Sequence, residues 1–366
     1  MRLLICAGGT GGGVYPALSV LQVLGSKAQP VLWVGGKGGM EADLVQRAGI
    51  PFASIPAAGL HGVGLGALPR NLAQLAQGTL ASRRILAEFK PDVLFFTGGF
   101  VAAPMAVAGS RIPTLLYVPD IEPGSALKFL ARNATRIALT APESQAYFGN
   151  PTRLVVTGYP TRSELAHWDK VEGRKKLGLH EKLPVLLVLG GSKGARSINR
   201  ALLPALPQLL KQAQVVHISG QLDWEEIQTA QAQLPADLAK DYHAYPYLHE
   251  EMGAALASAD LAISRAGAST MGEYPLFGLP AILVPYPYAW RYQKVNADHL
   301  VNHGGAMMVK DEDLAANLLD TVNSLLADPA KLEAMHSAMH ALWQPEAASR
   351  IASLLEELAQ KKEGNS

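Results

Sequence analysis

Three glycine-rich turns each stand where a short apolar run gives way to a helical pattern. They are Gly8-Gly9-Thr10-Gly11-Gly12-Gly13, Gly98-Gly99, and Gly190-Gly191-Ser192-Lys193-Gly194-Ala195-Arg196. Without a Cβ, such a turn lets an anion approach backbone N–H groups at the positive end of the following helix. Two turns lie in the first half and one opens the second, the pattern of a chain that holds two phosphorylated ligands, one per half. A fourth segment, Ser264-Arg265-Ala266-Gly267-Ala268-Ser269-Thr270-Met271-Gly272-Glu273, also passes from an apolar run through small residues into a helix. Its turn suits a diphosphate, and Glu273, about one turn further in, suits the two hydroxyls of a ribose.

Other chemistries fit these residues less well. Gly9-Thr10-Gly11-Gly12-Gly13-Val14 follows G-x-G-x-x-G only loosely, and about 20 residues on, Val34-Gly35-Gly36-Lys37 offers no acid to a ribose, which argues against NAD. Gly191-Ser192-Lys193-Gly194 lacks the spacing of a P-loop. Gly190-Gly191-Ser192-Lys193-Gly194 does spell the nucleophile elbow G-x-S-x-G, and His299 or His303 could nominally complete a hydrolase, but that reading leaves the other turns unexplained. Asp311-Glu312-Asp313 resembles a metal-holding triplet; standing before the helical run 314–326, Asp311 is expected to be an N-cap with its neighbours complementing the helix dipole. The pairs His299/His303 and His336/His340 have helical spacing without an evident third ligand, so no metal is expected.

The elements that must carry these turns are legible as apolar runs at 3–7, 31–34, 93–96, 114–118, 137–140 and 154–156, then at 185–189, 215–219, 261–264, 281–284 and 307–309. Continuous runs, as opposed to alternating ones, mark a parallel sheet covered on both faces. An α/β chain of two Rossmann-like, doubly wound parallel-sheet domains is therefore expected. Glycine and proline in Thr157-Gly158-Tyr159-Pro160-Thr161-Arg162 place the boundary there, giving domains 1–160 and 161–344, with 164–177 mostly helical. The segment 345–361 carries Ile351, Leu354, Leu355 and Leu358 on one helical face and is expected to cross back onto the first domain.

Composition narrows the class. The 366 residues exceed one compact core, and the net charge of +1 makes no case for nucleic acid. The charge is uneven: residues 1–158 hold 13 Lys/Arg against 7 Asp/Glu, about +6, leaving about −5 for the remainder. The basic half suits an anionic ligand or surface. A single cysteine, Cys6, rules out an internal disulfide and points to a reducing compartment. Five apolar residues follow Met1-Arg2, far fewer than the roughly 18 of a membrane span, so a soluble or peripheral protein is expected. Leu72, Leu75, Leu80 and Ile85, flanked by Arg70, Arg83 and Arg84, suit contact with anionic lipid, or else an ordinary amphipathic helix packed on its own domain.

Taken in order, the glycine turns, Met40-Glu41-Ala42-Asp43-Leu44-Val45, Gly98-Gly99-Phe100-Val101, Arg265-Ala266-Gly267-Ala268 with Glu273, and Gln293 with Asn296-Ala297 resemble the MurG family. These are the family 28 N-acetylglucosaminyltransferases of bacterial peptidoglycan synthesis. The resemblance spans nearly the whole chain. It implies a GT-B architecture, two Rossmann-like domains facing across a cleft, and a peripheral enzyme of the cytoplasmic membrane face or cytoplasm. It further implies inverting transfer of N-acetylglucosamine from UDP-N-acetylglucosamine to undecaprenyl-diphospho-muramoyl-pentapeptide, with no cofactor or metal in the protein. Carried over by position, Gly191, Ser192, Lys193, Gly194, Ala195 and Arg196 meet the donor diphosphate, the backbone at Leu248 reads the uracil, and Glu273 the ribose. Ala268, Ser269 and Thr270 line the diphosphate and sugar, Gln293 takes the sugar hydroxyls, and Arg162 lies near the nucleotide. Thr10, Gly11, Gly12, Gly13, Gly98, Gly99 and Phe100 cradle the acceptor diphosphate.

The chain departs from the family pattern on the acceptor side. Gly13 stands in place of the family's histidine, Tyr117-Val118-Pro119-Asp120 in place of its His-Glu-Gln-Asn, and Tyr159 in place of asparagine. Inversion needs a base for the attacking hydroxyl's proton. Asp120 is the first candidate, with Glu122 and His61 in reserve. A family 28 enzyme with another glycolipid acceptor, a UDP-N-acetylglucosamine 2-epimerase of the same architecture, and a non-catalytic nucleotide-sugar binder are the alternatives.

Overall fold

The computed structural model describes residues 1–8, 11–39, 41–58, 68–191 and 194–363. Strands and helices alternate throughout. The first part runs β1 (Leu3–Cys6), α1 (Gly11–Leu24), β2 (Val31–Gly36), α2 (Glu41–Arg47), β3 (Phe52–Ile55), α3 (Leu68–Phe89), β4 (Val93–Phe96), α4 (Ala102–Ala108), β5 (Thr114–Val118), α5 (Ser125–Ala131), β6 (Arg136–Leu139) and β7 (Leu154–Val156). It continues with α6 (Lys170–Leu177), β8 (Val185–Leu189), α7 (Arg196–Leu209), β9 (Gln214–Ile218), α8 (Trp224–Ala232), α9 (Ala236–Ala239), β10 (Tyr242–Tyr245), α10 (Met252–Ser258), β11 (Leu261–Ser264) and α11 (Thr270–Phe277). The last elements are β12 (Ala281–Leu283), α12 (Trp290–Asn302), β13 (Ala306–Met308), α13 (Leu314–Leu326), α14 (Pro329–His340) and α15 (Ala347–Glu363).

These elements form two compact units, Met1–Arg162 with Gln344–Ser366, and Ser163–Trp343. The amino-terminal unit holds a parallel sheet in the order β3-β2-β1-β4-β5-β6-β7. The carboxy-terminal unit holds a parallel sheet in the order β10-β9-β8-β11-β12-β13. Both are doubly wound, the two Rossmann-like units of a GT-B protein. In each, the strand order reverses direction at one point, between β1 and β4 or between β8 and β11, and ligands of such sheets bind outside the strand carboxyl ends at that point. The glycine turns after β1 and β4 leave the first sheet there, and those after β8 and β11 leave the second.

Packing follows the helical spacing. Ile198, Leu202, Leu206 and Leu209 of α7, and Leu314, Leu318, Val322 and Leu325 of α13, are buried in one core with β8, β9 and β11. In α15, Ile351, Leu354, Leu355 and Leu358 are buried, and this helix packs on α1 within the amino-terminal unit. Two strands, β3 and β10, are not evident from the sequence. Each has one neighbour, lies at a sheet edge and is mostly half-buried, so Phe52-Ala53-Ser54-Ile55 and Tyr242-His243-Ala244-Tyr245 need no continuous apolar run. The expected helix over 164–177 is split into a 3-10 turn at Ser163–His167 and α6, capped by Asp169, whose side chain accepts from the amide of Glu172 at 2.8 Å.

Candidate functional site

In the carboxy-terminal unit the turn after β8 is closed by space as well as by backbone conformation. Gly191 has φ +83° and Gly194 φ +76°, values that favour glycine. A Cβ on Gly190 would run into the amide of Ala195, and one on Gly194 into the carbonyl of Ser219. Ser192 and Lys193 lie outside the described residues. Helix α7 then begins at Arg196 with Ala195 at its N-cap and no side-chain cap from it, so the first amides of a 14-residue helix face the turn.

A buried polar network, which the sequence analysis missed, holds the wall behind this turn. Asn199 donates through Nδ2 to the Ser219 carbonyl and to Asp223 Oδ2, both at 2.9 Å, and its Oδ1 lies 3.0 Å from Nε2 of His217. His217 Nδ1 in turn lies 2.8 Å from the Tyr242 hydroxyl. Asparagine oxygen only accepts, so Nε2 carries the proton and Nδ1 accepts from Tyr242; every polar atom of the pair is satisfied with a neutral imidazole. Asp223 accepts a further bond from Arg196 Nε at 2.8 Å, linking the network to the first residue of α7. No spacing rule finds it, because its members come from α7, β9, β10 and the segment after β9.

His217 is fully buried, and burial lowers its pKa from 6.5 to about 3, against a smaller opposing effect of the Asp223 charge. Between those values the unfolded chain binds the proton and the folded chain does not. This contribution to stability is therefore complete above pH 6.5 and is lost as pH falls towards 3. At about pH 5 the loss is expected to reach about 2 kcal/mol at ~1.4 kcal/mol per pH unit. His217→Gln should remove that slope while lowering stability at neutral pH, and urea unfolding of both proteins at the two pH values checks it.

The turn after β11 brings the second set of donor-side candidates to the same switch point. Ala268 and Thr270 are buried, Ser269 is half-buried, and Thr270 Oγ1 donates to the Gly267 carbonyl at 2.7 Å. Glu273, half-buried, stands in the first turn of α11. Gln293 is on α12, where its Oε1 accepts from the Tyr286 amide at 2.8 Å. Asn296 Nδ2 donates to the Ala266 carbonyl at 3.1 Å and ties α12 to the β11 turn. Leu248 is buried in the segment after β10, the edge strand of the same sheet.

Arg265, which the sequence shows only as part of a motif, overturns the reading of Asp311. Its guanidinium donates to the Val284 carbonyl at 3.0 Å, Ser197 Oγ at 2.7 Å and Asp311 Oδ1 at 2.5 Å, and lies over the Tyr286 ring. Ser197 Oγ also donates to Asp311 Oδ1 at 2.7 Å. Asp311 is therefore no N-cap: residues 311–313 form a 3-10 turn, α13 starts after Asp313, and the Asp311 carboxylate is turned to Arg265 and α7. A largely buried guanidinium outweighs an exposed helix end as a partner, because leaving it unpaired costs several kcal/mol whereas a cap contributes about one.

On the amino-terminal unit, Gly98 (φ +129°) and Gly99 (φ +85°) follow β4, and a Cβ on Gly99 would lie 2.9 Å from the Gly8 carbonyl, so the two turns abut. Gly11, Gly12 and Gly13 form the first turn of α1; Thr10 and His61 lie outside the described residues. Thr97 Oγ1 donates to the Gly13 carbonyl at 2.7 Å, and a Cβ on Gly13 would lie 3.3 Å from the Thr97 carbonyl. Tyr159, buried, directs its hydroxyl to the Gly12 carbonyl at 3.5 Å and meets Tyr117 edge-on at 6.4 Å. Tyr117 is fully buried with its hydroxyl 2.7 Å from Thr140 Oγ1, and burial raises its pKa well above 10.0, with the Asp120 charge adding.

Asp120 is half-buried in the segment after β5. Glu122 is buried with Lys128 at 3.4 Å from its carboxylate. Arg162, expected beside the nucleotide, belongs to the amino-terminal unit, its guanidinium 4.5 Å from the centre of the Tyr15 ring. Phe100 is half exposed and, with Leu75, Val107, Pro104 and Phe129, lines an apolar cavity of about 310 Å³ between α3, α4 and α5. Among the described residues no helix is long and apolar enough to cross a membrane.

Comparison with known proteins gives one answer along the whole chain. Residues 3–139 match the glycosyltransferase family 28 N-terminal domain and residues 185–355 its C-terminal domain. The UDP-N-acetylglucosamine–N-acetylmuramyl-(pentapeptide) pyrophosphoryl-undecaprenol N-acetylglucosamine transferase of Roseiflexus sp. (strain RS-1) is 39% identical over 99% of this chain and 96% of its own. The enzyme of the same name from Desulforudis audaxviator (strain MP104C) is 37% identical over 99% of both. Among solved structures, MurG of Acinetobacter baumannii superposes with a TM-score of 0.76 at 28% identity, over 97% of this chain and 99% of its own. The UDP-GlcNAc 2-epimerase of Neisseria meningitidis, bound to UDP-GlcNAc, shares the fold at 13% identity and a TM-score of 0.70, over 98% of this chain and 100% of its own. With both family domains matched in order and relatives this similar from end to end, the chain belongs to glycosyltransferase family 28.

Proposed function

We propose that this protein transfers N-acetylglucosamine from UDP-N-acetylglucosamine to undecaprenyl-diphospho-muramoyl-pentapeptide, with inversion at the anomeric carbon. The observation that carries the reading is the match to transferases of that name over 99% of the chain. The turns after β8 and β11, at one switch point, supply the amides and uncapped α7 start that a departing UDP needs, since charge developing on the leaving group is best met by dipoles already in place. In this reading Gly191, Gly194, Ala195 and Arg196 surround the diphosphate. Ala268, Ser269, Thr270 and Gln293 hold the sugar side, Leu248 the uracil and Glu273 the ribose.

The acceptor belongs to the amino-terminal unit, its diphosphate at Gly11, Gly12, Gly13, Gly98, Gly99 and Phe100, with Asp120 as base. The exposed Leu72 and Leu80, with Arg70, Arg83 and Arg84 also exposed on α3, support docking on anionic lipid at the cytoplasmic face of the plasma membrane. The apolar cavity shares α3 with them, through Leu75 and Thr79.

The test is UDP release by the purified protein in detergent, with and without the lipid-linked muramoyl-pentapeptide. Release that requires this acceptor and yields a disaccharide is the expected result. UDP binding without transfer would sink the assignment of the acceptor, and release without acceptor, accompanied by the 2-epimer, would replace transfer with epimerisation.

A further inference from the structure

We propose that Glu41 is a positioning residue for the acceptor-side glycine turn, its buried carboxylate packing against the backbone from which that turn leaves the sheet. The proposal rests on the acceptor reading given above. Glu41 opens α2 and is only 3% exposed. Its Oε1 accepts from the amide of Gly36 at 2.8 Å, at the end of β2. A Cβ on Gly8 would lie 2.7 Å from the same oxygen, and one on Gly39 would run into the carboxylate. Neither Gly8 nor Gly39 has a positive φ. Their backbones are ones any residue adopts, so what excludes a side chain there is the room the carboxylate takes.

The consequence is mechanical. Gly8 lies between Glu41 on one side and the turn after β4 on the other, where Gly99 approaches its carbonyl. Gly8 is the last described residue before α1 begins at Gly11. The carboxylate therefore fixes the point at which the chain departs from β1 relative to both β2 and the second glycine turn. A buried carboxylate is expensive unless hydrogen-bonded, and an isobutyl group of similar size would fill much of the same space without accepting from Gly36. Glu41 is thus assigned a positioning role, exerted through Gly8, and not a catalytic one.

Steady-state kinetics in both substrates tests this with Glu41→Ala and Glu41→Gln. Glu41→Ala is expected to raise the acceptor KM about tenfold, as a misplaced binding group does, with the donor KM unchanged. Glu41→Gln, which keeps an oxygen for Gly36, should recover most of it. A fall in kcat with both KM values unchanged is what loss of folded protein would give, and it overturns the proposal, as does failure of the glutamine variant to recover. Hydrogen exchange of the peptide containing Gly8 provides a readout without acceptor: it should quicken in Glu41→Ala and remain near wild type in Glu41→Gln. Unchanged exchange overturns the positioning role, whereas wild-type protein that transfers nothing to the acceptor overturns only the reading on which it rests.

Discussion

Gly194→Ala is expected to weaken UDP binding by about 100-fold, or about 2.7 kcal/mol, while leaving the amino-terminal unit intact. Two independent costs meet at this residue. Its φ of +76° is one that an L-residue adopts at a penalty of roughly 1–2 kcal/mol. The added Cβ would also be driven into the Ser219 carbonyl and stand 3.0 Å from Gly220 Cα. That wall does not yield, because Asn199 Nδ2 holds the Ser219 carbonyl at 2.9 Å and the Ser219 amide donates to the Tyr245 carbonyl at 3.0 Å. The turn must move instead, and its amides move with it. Gly191→Ala is the natural comparison: φ is +83° there, but among the described residues nothing lies within 4 Å of the added carbon, so these surroundings add no steric cost to that of the backbone and the loss should be several-fold smaller. Calorimetric titration with UDP, beside thermal melts of both variants, measures this. Wild-type affinity in Gly194→Ala would remove the turn from the donor site.

The contrast between these two glycines shows what a sequence displays and what it hides. That a turn rich in glycine ends each central strand is visible in the letters, since the demand for positive φ is local. Which of those glycines is also closed in by space is not, because Ser219 and Asn199 reach Gly194 from other elements. The same division runs through the fold. The central strands of both sheets are buried on two faces and read as apolar runs, whereas β3 and β10, at the edges, do not.

Asp311 shows the division at a single residue. A local rule makes an acid before a helix a cap, but Arg265, 46 residues earlier in the chain, claims the carboxylate. In the amino-terminal unit, Gly13, Tyr117 and Tyr159 look like three separate departures in the sequence. In the fold Tyr159 joins Tyr117 edge-on and reaches the Gly12 carbonyl, next to Gly13. Buried aromatic packing thus backs the turn, and the sequence alone offered no reason to connect these positions.

If Asp120 takes the proton from the attacking hydroxyl, Asp120→Asn should lower kcat for acceptor-dependent UDP release by about 10²–10⁴-fold, the range for removal of a general base. UDP affinity should be unchanged, since the turns proposed to hold the donor belong to the other unit. The fold supports the residue in a way that favours a fixed base over a mobile turn. The Thr140 hydroxyl lies 3.0 Å from the carbonyls of both Val118 and Pro119 and 2.7 Å from the Tyr117 hydroxyl. A hydroxyl has one proton to give, so Tyr117 donates to Thr140 and the Thr140 proton is shared between the two carbonyls. Burial keeps the Tyr117 phenol protonated and able to play that part. The backbone leading into Asp120 is thereby pinned to the residue that follows β6, and Asp120 itself is half-buried. Glu122 is a poorer candidate, because its carboxylate is buried and already engaged by Lys128 Nζ at 3.4 Å. Asparagine preserves the shape and the turn but cannot take the proton. A purely structural aspartate would therefore show itself as a lower melting temperature with kcat intact, and that outcome would transfer the search for the base away from β5.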